Sequence, residues 1–123
     1  MNNLIIDAAN DKIFFKIIAD KKSYTSEIVN NRENFDKLTI LIFEFLKNNH
    51  INIAKINNIF VNQGPGKFSS IRASLATAKA LSFVNKIDLY GFNSSQIINK
   101  NYVEIIDLFN KGLLIKNLIK PQY

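Results

Sequence analysis

Ile56-Asn57-Asn58-Ile59-Phe60-Val61-Asn62 runs through Gln63 into Gly64-Pro65-Gly66-Lys67-Phe68-Ser69-Ser70-Ile71-Arg72 and on to Ala73-Ser74-Leu75-Ala76-Thr77-Ala78-Lys79-Ala80-Leu81-Ser82-Phe83. The first part is β-branched and aromatic, ends at a turn and reads as a buried strand. The proline fixes one φ angle, and its flanking glycines let the chain reverse and let another backbone come close. Beyond the turn, Phe68 to Phe83 reads as a long apolar helix. It is built mostly of Ala, Ser, Thr and Leu, so it can lie near whatever it packs against.

Upstream, Leu4-Ile5-Ile6 reads as a short buried strand that ends at Asp7-Ala8-Ala9-Asn10-Asp11. Ile13 to Ile18 comes after a tight polar turn, as in an antiparallel hairpin, and Ser23 to Val29 is a third strand of alternating character. Asn34 is a candidate cap for a helix from Phe35 to Lys47. Downstream, Ile87 to Phe92 is a fifth strand. Asn93-Ser94-Ser95 is placed to cap a short helix from Gln96. Asn101 to Asn110 is an amphipathic helix with Gly112 at its C-terminal end. Three antiparallel strands, then helix, strand, helix, strand, is the order of a ribonuclease-H-like or actin-like (ASKHA) α/β domain. It implies a five-stranded mixed sheet in which the first strand pairs with the fourth at the centre.

The chain has 123 residues, enough for one core. Residues 1–95 are expected to form the domain, with 96–123 a C-terminal helix and tail packed on it. A 47% hydrophobic and 21% charged composition is that of a folded protein. No cysteine is present, so disulfides, thiolate zinc sites and a cysteine nucleophile are excluded. The start lacks the basic region and apolar length of a signal peptide, and no run approaches a membrane span, so a cytoplasmic location is expected. The net charge of +6 attracts polyanions. The lysines are nevertheless scattered, with no aromatic residues interleaved in a dense basic block as a single-strand-binding surface requires.

The helix from Phe35 to Lys47 carries Phe35, Leu38, Ile40, Leu41, Ile42, Phe43, Phe45 and Leu46, and is apolar nearly all round. One sheet face accounts for a stripe about 100° wide. A second cover is required, and in so small a domain another chain is the expected one.

The Gly64-Pro65-Gly66-Lys67-Phe68-Ser69-Ser70-Ile71-Arg72 stretch resembles the Gly-Pro-Gly-Ser-Phe-Thr-Gly-Leu-Arg pattern of the TsaB (YeaZ) family. Gly64, Pro65, Gly66, Phe68 and Arg72 match, and Leu75-Ala76-Thr77-Ala78-Lys79 matches the family helix. Leu4 to Ala9 is similar to the family's opening strand, with Ala8 in place of a hydroxyl residue. Asn31 to Leu38 lies where the family has Arg-x-His-Ser-x-x-Leu, with Asn34 for the histidine. Gly91-Phe92-Asn93-Ser94 resembles the Gly-Val-Ser-Ser after the fifth strand. Family members carry a second α/β subdomain beyond this point. Here Leu108 to Gly112 and Lys120-Pro121-Gln122-Tyr123 resemble the family's C-terminal end instead. The chain reads as a member from which the second subdomain has been removed internally.

The resemblance implies a non-catalytic subunit of the complex that forms threonylcarbamoyladenosine on tRNA. Its partners would be a TsaD-like catalytic paralogue, a TsaE-like ATPase in the assembled complex, and tRNA indirectly. Pairing would use the two helices through Phe35, Leu38, Ile42, Phe45, Ser69, Arg72, Ala73, Ala76, Thr77 and Ala80. No cofactor is expected in this chain, since metal and nucleotide would belong to the partners. The catalytic paralogue's His-x-x-x-His metal pair has no counterpart here, because His50 is the single histidine.

Another reading is a stand-alone actin-like phosphate- or nucleotide-binding enzyme using Asp7, Lys67 and Arg72. The turn precedes a helix N-terminus, where amides and dipole favour anions, which makes Asp7, Gly64, Gly66 and Lys67 candidate phosphate contacts. It is no Walker A loop, which would need glycine at Val61 and Ser or Thr at Phe68. Asp7 is also well placed to cap its own turn. A basic RNA-binding module and a homodimer through the same helices are the remaining readings.

Overall fold

The computed structural model describes residues 1–97, 101–117 and 119–122. Its strands are β1 (Asn3–Asp7), β2 (Lys12–Ile18), β3 (Ser23–Val29), β4 (Asn58–Asn62), β5 (Asp88–Phe92) and β6 (Ile115–Lys116). They form one sheet in the order β3-β2-β1-β4-β5-β6. The hairpins β1–β2 and β2–β3 are antiparallel, whereas β4 pairs parallel to both β1 and β5. The expected pairing of first and fourth strands is therefore present. Both strands are buried along their whole length, as central parallel strands are.

The sheet has six strands, not five. The apolar, basic tail contributes β6, two residues antiparallel to β5, too short to show an alternating pattern. The fourth strand begins at Asn58 and not at Ile56. A 3₁₀ turn at Ile53–Lys55 takes the Ile56 amide, and Asn57 turns its own amide to the Asn2 carbonyl.

The helices are α1 (Arg32–Phe35), α2 (Leu38–Asn48), α3 (Phe68–Asn85) and α4 (Val103–Asn110). The expected single helix from Phe35 to Lys47 is divided between α1 and α2. Its cap is Asn31, whose side chain accepts from the Asn34 amide at 2.9 Å. Asn34, expected as the cap, instead donates its side-chain amide to the Val29 carbonyl. At α4, the Gly112 and Leu113 amides donate to the Phe109 and Leu108 carbonyls, closing the helix at Gly112 with its positive φ. The short helix expected from Gln96 is a 3₁₀ turn at Ser94–Gln96, and residues 98–100 lie outside the described chain, as does Tyr123.

Alternation along the strands divides the core between two faces. Leu4, Ile6, Phe15, Ile17, Ile59 and Val61 pack with α2 and α3, while Ile5, Phe14, Phe60 and Phe92 pack with Tyr102 and Ile105 at α4. The sheet is thus covered on both sides. No described helix is long and apolar enough to cross a membrane.

Candidate functional site

The parallel strands β1, β4 and β5 end on the same edge, where open α/β sheets place their ligands. Asp7 ends β1 and Asn62 ends β4, brought level by the register that pairs Ile6 with Val61. The Asn62 side-chain amide donates to Asp7 Oδ1 at 3.0 Å and to Ser94 Oγ at 3.2 Å. Its Oδ1 accepts from the Gly64 amide at 2.8 Å. The Ala9 amide also donates to Asp7 Oδ1, the expected turn cap, and the Tyr102 hydroxyl donates to Oδ2 at 2.7 Å. Asp7 is 4% exposed and has three neutral donors. Burial, the Asp7 charge and the hydrogen bond to it all push the Tyr102 phenol above its ordinary value. Asp7, Asn10, Phe14, Asn62, Ser94, Ile97 and Tyr102 line a cavity of about 60 Å³.

The glycine turn is equally occupied. The Lys67 amide donates to the Ala9 carbonyl, and the Gly64 carbonyl accepts from the Ser94 amide. A Cβ at Gly66 would lie 2.2 Å from the Ala9 carbonyl oxygen, so glycine is required there for close backbone approach. Lys67 Nζ is 3.3 Å from Asp11, an exposed and screened pair. The structure therefore does not assemble Asp7, Gly64, Gly66 and Lys67 into an anion cradle. Asp7 is buried and bonded, and the Gly64 and Lys67 amides bond within the chain. Arg72, the third residue of the enzyme reading, lies over the Phe68 ring on the helix surface.

The second candidate is the outer surface of the α2–α3 layer. Helix α3 turns Ser70, Ile71, Ser74, Leu75, Ala78 and Leu81 inward. Ser69, Arg72, Ala76 and Ala80 of the expected contact set are exposed, and Ala73 and Thr77 are half-buried at the margin. Phe35 is half-buried against the core. Leu38, Ile42 and Phe45 of that set do not face outward: each is buried against the sheet, in the core of this chain, and offers no side chain to a partner. The outward apolar groups are others. Ile40 is 59%, Phe43 41%, Phe83 86% and Val84 74% exposed. Helical periodicity carried that signal, since Ile40 and Phe43 fall opposite Leu38, Ile42 and Phe45.

Asn62, Ser94 and Tyr102 were not among the residues expected at a site. Asn62 had a legible cue: Asn3-Leu-Ile-Ile-Asp7 and Asn58-Ile-Phe-Val-Asn62 share polar ends around three apolar residues. In-register pairing therefore sets Asn3 beside Asn58 as well as Asp7 beside Asn62, and Asn58 donates to Asn3 at 3.0 Å. Tyr102 is 95 residues from Asp7 and had no local cue.

Sheet order, helices on both faces and the strand-end carboxylate define the class: an actin-like, ribonuclease-H-like α/β domain. The family model described as TsaD, tRNA N6-adenosine threonylcarbamoyltransferase, matches residues 27–104. The chain belongs to this family. It is 30% identical over 95 residues to the tRNA threonylcarbamoyladenosine biosynthesis protein TsaB of Buchnera aphidicola subsp. Schizaphis graminum, covering 77% of this chain and 45% of that protein. It is 32% identical over 81 residues to a tRNA N6-adenosine threonylcarbamoyltransferase of Clostridioides difficile, covering 65% of this chain and 24% of that enzyme. YeaZ from Pseudomonas aeruginosa shares the fold with a TM-score of 0.74 at 14% identity, over 90% of this chain and 50% of that one. The chain thus spans half or less of the length of these relatives.

Proposed function

We propose that the chain is a non-catalytic scaffold subunit in the formation of N6-threonylcarbamoyladenosine on tRNA, pairing with a TsaD-like paralogue and activating it in the cytoplasm. The observation that carries this reading is the outer surface of α2 and α3. Ile40 and Phe43 of α2 and Phe83 and Val84 of α3 stand exposed there, and α3 also exposes the small side chains of Ala76 and Ala80. Exposed apolar side chains on one helical layer are the usual mark of a protein contact. Alanines on that layer permit close helix approach.

Among the described residues, no three His, Cys, Asp or Glu side chains converge on a metal-sized site. His50 is exposed in the turn after α2, with positive φ. The residues present do not fit the family's catalytic metal. In this reading metal and nucleotide are held by the partners, with a TsaE-like ATPase joining the assembly and tRNA met indirectly.

The test is co-expression with a TsaD-like paralogue from the same source, followed by size-exclusion chromatography with light scattering. A one-to-one complex is expected, with more threonylcarbamoyl transfer than by the paralogue alone. Separate elution, with this chain as a homodimer, would overturn the reading.

A further inference from the structure

Asp7 ends β1 at the edge where open α/β sheets place their ligands, yet the chain's own C-terminal segment covers it. The Tyr102 hydroxyl occupies Oδ2, and its ring packs beside Phe14 with centroids 5.9 Å apart. The same segment returns over the glycine turn. Gln63 donates its side-chain amide to the Lys120 carbonyl at 3.1 Å, and its own carbonyl accepts from the Gln122 amide at 2.7 Å. The Gln122 carbonyl oxygen lies 2.0 Å from where a Cβ at Gly64 would stand, and Ile119 is buried against Gly91. Carboxylate and turn are therefore closed by one stretch of chain at two independent places. The remaining 60 Å³ holds about two waters, against the roughly 300 Å³ or more of a small-molecule site.

We propose that the C-terminal segment is a strap that keeps the strand-end site shut, with Tyr102 as its self-ligand. The phenol takes the Asp7 oxygen that an outside hydroxyl would use, and the site admits such a group only when Tyr102 is withdrawn. Tyr102→Ala should empty a phenol-shaped space that still ends at Asp7. Thermal melts of this variant are expected to shift upward and saturably with p-cresol, more than with toluene, which lacks the hydroxyl. The wild type should shift with neither. Equal rescue by toluene, no rescue of a folded variant, or the same p-cresol response in the wild type would each overturn the proposal.

Should Tyr102→Ala fail to fold, ionisation of the four tyrosines is followed by absorbance in the wild type and in Tyr102→Phe. One wild-type phenol is expected to resist ionisation until the chain unfolds, and that resistant step should vanish in Tyr102→Phe. Ionisation of every tyrosine in the ordinary range, with the fold intact, would overturn the strap.

Discussion

At the scale of single residues, the strand-end edge shows how little room the turn leaves. Gly66 and Gly112 are both at turns for different reasons. A Cβ at Gly66 meets the Ala9 backbone at 2.2 Å, whereas nothing lies within 4 Å of one at Gly112, whose constraint is its φ of +70°. Gly66→Ala is expected to destabilise by about 1–3 kcal/mol through backbone displacement. Gly112→Ala should cost only about 1 kcal/mol, as a strained left-handed position does. Chemical denaturation of the two variants ranks them, and a reversed order would refute the close-approach account. Tyr102 gives a prediction of opposite reach. Its folded pKa is raised above the unfolded value of about 10, so its contribution to stability is fully present below that pH and is lost as pH rises above it. Alkaline melts should therefore fall more steeply for the wild type than for Tyr102→Phe. Of this cluster, sequence showed Asp7 as a turn cap because the cap is local. It did not show Tyr102, because nothing in the spacing of residues states which helix returns to which strand.

At the scale of elements, the strands were legible and the helix boundaries less so. Each central strand is an uninterrupted apolar run, and burial on both faces is the only arrangement that satisfies such a run. The segment from Asn31 to Asn48 misled because two helices, one of four residues and one of eleven, share one apolar pattern. Asn31 and Asn34 are both good cap residues, and the choice depends on where the preceding strand ends. Val29 ends β3 and its carbonyl takes the Asn34 side chain, leaving Asn31 to receive the first free amide. Asn31→Ala is expected to cost about 1 kcal/mol through loss of the cap. Asn31→Asp, which retains the acceptor, should restore most of it. Equal loss in both variants would place the effect elsewhere than the cap.

At the scale of the whole molecule, the question is whether its outer helical layer serves folding or association. The core already includes Leu38, Ile42 and Phe45 from α2, and Ile71, Leu75, Ala78 and Leu81 from α3. The residues left outside are therefore dispensable to it. Surface substitutions away from special features change stability by about 0.5 kcal/mol or less. Ala76→Arg, Ala80→Arg and Phe83→Asp should accordingly leave circular dichroism and thermal melting close to wild type. At a close helix–helix contact, however, an arginine must be either accommodated or desolvated, and an unpaired buried charge is strongly unfavourable. Each variant is thus expected to abolish co-purification with a TsaD-like paralogue while Glu33→Ala, on the exposed surface of α1, does not. Variants that unfold would show the layer to be part of this chain's own core. Variants that fold and still co-purify would move the contact to another face, and the exposure of Ile40, Phe43, Phe83 and Val84 would then need a different partner.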